Sequence, residues 1–71
     1  MNETQIPIKR KILDALQRRI SDMYNSDDLY ITNTEDCDDR NYVFITVFYR
    51  DPFQLVLLGE DISFVDLFGY K

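Results

Sequence analysis

The chain has 71 residues, with 13 acidic and 8 basic side chains, a formal net charge of −5, no His, no Trp, one Cys and two Gly. One small domain spanning 1–71 is expected, and a chain this size buries only about 60% of the surface its unfolded form exposes, so an enclosed cleft of enzyme size is not expected. The single Cys and absent His exclude an intrachain disulfide and a Cys/His structural zinc, while 45% apolar residues with five Tyr and five Phe exclude wholesale disorder.

Residues 1–6 are polar and read as a frayed end. Pro7 suits the first turn of a helix, where its missing N–H has no partner to lose. From Ile8 the apolar residues Ile8, Ile12, Leu13, Ala15, Leu16, Ile20, Met23 and Tyr24 share one side of a 3.6-residue wheel, which predicts an N-terminal amphipathic helix ending near Asn25 and Ser26. Its basic residues Lys9, Arg10, Lys11, Arg18 and Arg19 read as a solvated side, with a nucleic-acid face as the sharper alternative. Leu29 to Asn33 alternates as a short strand, TEDCDDRN over 34–41 is a polar hairpin turn, and Asn41 to Tyr49 (NYVFITVFY) is a β-branched and aromatic run suited to a central strand. Arg50, Asp51 and Pro52 turn the chain, and Phe53 to Leu58 (FQLVLL) is expected to return as a third strand ended by Gly59, Glu60 and Asp61. In the tail ISFVDLFGYK, Ser63 with Asp66 resembles a capping box opening a short helical turn, while a fourth strand from Ile62 stays open.

The fold class that follows is α+β: an N-terminal helix packed on a three-stranded, or four-stranded, antiparallel sheet with a short C-terminal helical turn. The central strand is apolar on both faces, with Val43, Ile45, Val47 and Tyr49 on one and Tyr42, Phe44, Thr46 and Phe48 on the other. One helix covers only one of them. The second must meet the C-terminal tail, a second copy of the chain, or a different protein.

The charge is divided along the chain. Residues 1–20 hold five bases against Glu3 and Asp14, or +3, whereas residues 21–71 hold eleven acids against Arg40, Arg50 and Lys71, or −8. Asp22, Asp27, Asp28, Glu35, Asp36, Asp38 and Asp39 place −7 within 21–39, which repels nucleic acid rather than binding it. Carboxylates repeating along the first two strands and their turn would form a ridge of negative charge aimed at a basic groove.

Catalytic chemistry has little to work with. Without His the usual base for a Ser or Cys nucleophile is missing, and Cys37 lies among Asp36, Asp38 and Asp39, which disfavour its thiolate. The carboxylates sit in polar turns rather than apolar pockets, and an EF-hand counted from Asp36 fails at its sixth and twelfth positions, Asn41 and Val47. No glycine-rich phosphate loop exists. The chain therefore reads as non-enzymatic, with no cofactor and no metal. No apolar run is long enough to span a membrane and the N-terminus lacks the apolar centre of a signal peptide, so a cytoplasmic location, in the producing or a host cell, is expected.

In physical type the chain resembles the small acidic inhibitors that phages and mobile elements direct at host nucleases, repair enzymes and CRISPR effectors, a resemblance carried by size, charge and missing catalytic groups. It implies an anti-defence inhibitor or regulator that mimics nucleic acid on a basic surface of a partner protein. Asp27, Asp28, Glu35, Asp36, Asp38 and Asp39 would supply charge, with Tyr30 and Tyr42 as aromatic anchors. The alternative is a structural module that forms a homodimer through the aromatic face of Tyr42, Phe44 and Phe48 or through an open sheet edge.

Overall fold

The computed structural model describes residues 1–69, with the side chain of Asn33 excepted. Strand β1 spans Asn2–Lys9, a 3-10 turn covers Arg10–Ile12, and helix α1 covers Leu13–Met23. Strands β2 (Leu29–Asp36) and β3 (Tyr42–Tyr49) form a hairpin, and helix α2 runs through Phe53–Phe68. The sheet order is β1-β3-β2, with both outer strands antiparallel to β3. β1 and β2 are thus parallel to each other with β3 between them, a split β-α-β unit followed by a second helix.

The N-terminus is the first departure from expectation. Residues 2–9 are a strand rather than a frayed end and the start of a helix, because Thr4, Ile6 and Ile8 alternate inward while Glu3, Gln5 and Pro7 face out. Pro7 is tolerated for a geometric reason. The Arg10 amide donates to the Asn41 carbonyl at 2.7 Å, so with the Ile8–Val43 and Ile6–Ile45 register the even-numbered residues bond to β3 and the Pro7 nitrogen points to the free edge. There it removes no ladder bond and takes a donor away from the edge, which discourages a further strand. β2 extends to Asp36 and carries an irregularity between Thr32 and Glu35, so the hairpin turn is shorter than the expected 34–41 stretch.

The second departure is α2. The expected third strand (53–58), its stop at Gly59 to Asp61 and the helical turn opening at Ser63 are one continuous 16-residue helix. Its start is fixed by Asp51, whose Oδ1 accepts the Phe53 amide at 3.0 Å, while Gln54 Oε1 accepts the amides of Asp51 (3.1 Å) and Arg50 (3.2 Å). This reciprocal arrangement is a capping box over Asp51-Pro52-Phe53-Gln54, with Pro52 preset for the helix entry. Leu55, Leu58, Ile62 and Val65 then return to one side at helical spacing and pack on the core. Ser63 is mid-helix and Asp66 pairs with Lys9, so neither caps anything. Gly69, at φ 72°, ends the helix in the left-handed region that favours glycine. Tyr70 and Lys71, the end of the expected tail, lie outside the described residues.

The core is a single cluster: Ile8 from β1, Ile12, Leu16 and Ile20 from the first helical segment, Leu29 from β2, Val43, Ile45 and Val47 from β3, and Leu58 and Val65 from α2. Each of these large side chains contributes roughly 1.5–3 kcal/mol by leaving water. Both helices therefore lie on the same side of the sheet. The thinnest extent of the fold, 16 Å, fits one sheet and one helical layer. The C-terminal segment joins α1 on the inner face, so of the three covers open to Tyr42, Phe44 and Phe48 the tail is not the one this fold uses.

Candidate functional site

The face left bare is built by register. Tyr30, Phe48 and Glu3 stand in one row, Thr32, Thr46 and Gln5 in the next, Glu35, Phe44 and Pro7 in a third, and Tyr42 beside Lys9 at the end. Tyr30 and Phe48 stack with ring centroids 4.8 Å apart and planes 14° from parallel, an offset arrangement that keeps both rings partly covered by each other. Thr46, between Gln5 and Thr32 in the register, is only 6% exposed. Phe44, Phe48 and Tyr42 are half-buried and Tyr30 is exposed, so the face is an apolar aromatic strip with hydroxyls at intervals.

The acidic residues do not form the expected continuous ridge. Asp27 and Asp28 lie in the turn before β2, and Glu35, Asp36, Asp38 and Asp39 lie at its far end. The length of β2 separates the two groups by about 25 Å. Each is partly offset: Asp28 faces Arg50 at 3.9 Å, and Asp36 pairs with Arg10 at 3.2 Å while Arg10 Nε also donates to the Arg40 carbonyl at 3.0 Å. These pairs are solvent-exposed and contribute little. Asp39 uses Oδ1 to accept the Asn41 amide at 2.9 Å, which shapes the hairpin tip, and Asp38 is exposed to solvent. Burial and the neighbouring Asp38 and Asp39 push the Cys37 thiol up, against the opposing pull of Arg10. Among the described residues no group of three or more His, Cys, Asp or Glu is placed to hold a metal ion.

The five N-terminal bases do not share one helical face. Lys9 lies in β1 and bonds Asp66 of α2 at 2.8 Å, an interaction that raises the lysine and lowers the carboxylate from their ordinary values. Arg10 and Lys11 lie in the 3-10 turn, and Arg18 and Arg19 in α1. Arg19 is turned inward: its Nε donates to Asp61 Oδ1 at 2.8 Å and its guanidinium lies 4.2 Å from the centre of the Phe64 ring. The Tyr24 hydroxyl donates to the other Asp61 oxygen at 2.7 Å, and burial together with this bond raises the phenol well above its ordinary value. Asp61, buried at 6% exposure, is thus held from two sides. Sequence reasoning misses this triad, and the one signal for it is an acid in the middle of an apolar segment.

Two shallow depressions flank the aromatic strip. One, about 430 Å³, is lined by Met1, Asn2, Ser26, Asp27, Tyr30 and Arg50. The other, about 510 Å³, is lined by Lys9, Arg10, Lys11, Arg40, Asn41 and Tyr42. No protein-family model, curated protein or solved structure matches the chain. Among the described residues no helix is long and apolar enough to cross a membrane.

Proposed function

We propose that the chain is a non-enzymatic inhibitor or regulator that docks the open face of its sheet onto a basic surface of a partner protein, one that otherwise holds nucleic acid. The observation that carries this reading is the uncovered aromatic strip of Tyr30, Phe48, Phe44 and Tyr42, with Asp27 and Asp28 near one end and Glu35, Asp36, Asp38 and Asp39, interleaved with Lys9, Arg10, Lys11 and Arg40, near the other.

Charge selects the occupant. The strands and turns among the described residues hold Glu3, Asp27, Asp28, Glu35, Asp36, Asp38, Asp39 and Asp51 against Lys9, Arg10, Lys11, Arg40 and Arg50, which is −3. Two such faces repel each other, and nucleic acid carries the same sign. A partner offering arginines gains on both counts, from the carboxylates at the ends and from guanidinium stacking on the rings between them. The role of the acids changes accordingly: they steer and orient the encounter, and the rings supply the buried contact.

The test is affinity capture with the wild type and with a Tyr30→Ala, Phe48→Ala variant, at low and high salt. Proteins that bind nucleic acid should be captured by the wild type, be released by salt or by added DNA or RNA, and be lost with the variant. The variant itself should remain folded, with a stability loss of about 1–2 kcal/mol from the missing stack. Equal capture by both proteins, or capture insensitive to salt, removes the proposal.

A further inference from the structure

The outer side of α2 presents a second uncovered surface. Phe53 is 63% exposed, Val56 59%, Phe64 42%, Leu67 75% and Phe68 73%. The positions 53, 56, 60, 63 and 67 follow a three-four spacing, so Phe53, Val56, Glu60, Ser63 and Leu67 form a straight outward stripe with Phe64 and Phe68 along its flank. Phe64 and Phe68 contact each other at 5.1 Å, and Met23 at the end of α1, 58% exposed, lines a depression with Phe64. α2 is thus apolar nearly all round, the character of a helix covered on both sides.

The size and charge of this surface identify what covers it. At roughly 150–200 Å² for a fully exposed large side chain, the uncovered parts of these five residues and Met23 come to about 600 Å² per protomer. Two copies face to face would remove about 1,200 Å², the lower bound of specific interfaces. On α2, Asp61 pairs with Arg19 and Asp66 with Lys9, which leaves Glu60 as the carboxylate of that helix with no cation opposite among the described residues. With the other two carboxylates paired, this surface of α2 can approach its own copy without a large repulsion.

We infer that α2 is a self-association surface and that two copies of the chain pair through Phe53, Val56, Phe64, Leu67 and Phe68, leaving both sheet faces outward. The inference is independent of what the sheet binds. Glu60 is the one carboxylate inside the stripe, and across a two-fold axis it approaches its own copy, which keeps the pairing weak.

Sedimentation equilibrium of the full chain from about 5 to 500 µM should show a monomer–dimer equilibrium with a dissociation constant of tens of micromolar. Val56→Glu with Leu67→Glu, both at exposed positions, should weaken it at least about a hundredfold while circular dichroism of the dilute protein is unchanged. Glu60→Gln should tighten it. Dilution of the wild type, followed by amide chemical shifts, should move signals of α2 and Met23 and leave Tyr30, Phe44 and Phe48 in place, a readout that needs no variant. A monomer across the whole range overturns the inference, as does a dimer that survives the double substitution or whose shifts map to the sheet.

Discussion

On the inner side of β3, Val43, Ile45 and Val47 are each 2% exposed or less, while on the outer side Tyr42, Phe44 and Phe48 are half-buried, although both sides are apolar. The difference lies in where α2 packs. α2 carries Asp61 on its core-facing side, and the partners of that carboxylate, Arg19 and Tyr24, belong to α1 and the residue that caps it. Packed on the outer face, α2 would press Asp61 against Phe44 and Phe48 and away from Arg19 and Tyr24, at a desolvation cost of several kcal/mol. The buried polar triad and the apolar residues of α2 are thus matched together on the inner face, and the aromatic strip is left uncovered.

The largest test of this contrast is Asp61→Ala. It strands Arg19 in a half-buried position and should cost about 3 kcal/mol in denaturant unfolding, a large share of the stability of so small a domain. Replacing all three groups, by Asp61→Leu, Arg19→Leu and Tyr24→Phe, should recover most of that loss, since no charge is left unpaired. A loss from Asp61→Ala under about 1 kcal/mol would show that apolar contacts alone hold α2 on the inner face.

Alkaline pH probes the same joint more gently. Tyr24 and Lys9 both have raised values in the folded chain, so their contributions are complete below about pH 10 and are lost as pH rises through the folded values. The melting temperature should therefore fall above about pH 10, and Tyr24→Phe should flatten that fall. Asp66, lowered by Lys9, works in the opposite direction, losing its contribution as pH falls below about 4.

Gly59→Ala gives the smallest effect and sharpens the contrast from the other side. The added methyl meets nothing within 4 Å, and Ala in place of a mid-helix Gly should raise stability by about 0.5–1 kcal/mol in dilute solution. A destabilised protomer would mean that Gly59 has a role within the fold that its surroundings do not show.

Part of the site is legible in the residues themselves. Period-2 alternation in NYVFITVFY separates the two faces of β3 and puts Tyr42, Phe44 and Phe48 together, as they stand in the sheet. The pairing of Tyr30 with Phe48 depends instead on register across the hairpin, which an irregularity between Thr32 and Glu35 adjusts. The expected acidic ridge fails because proximity in sequence is not proximity along one surface: the strand carries Asp28 and Asp36 to opposite ends. The helix signal at Ile8 to Tyr24 corresponds to a helix only over Leu13–Met23, after a strand and a 3-10 turn. Its first turn wrongly absorbs Ile8, which together with Ile6 alternates inward around Pro7 in a strand pattern. FQLVLL has no period of its own, and only the capping box at Asp51 to Gln54 marks it as the start of a helix.

With 71 residues, 13 acids and neither His nor paired Cys, composition and local pattern are enough to specify an α+β chain stabilised by apolar burial, with a two-sided apolar strand at its centre. They suffice because β-branched runs and 3.6-residue periodicity depend on neighbours close in the chain. Packing in three dimensions sets the rest: both helices share one face, Asp61 is matched by Arg19 and Tyr24 from a distant segment, and the acidic groups are split between the two ends of β2. Those outcomes depend on contacts between segments far apart in the chain, where the cost of an unpaired buried charge outweighs any local preference.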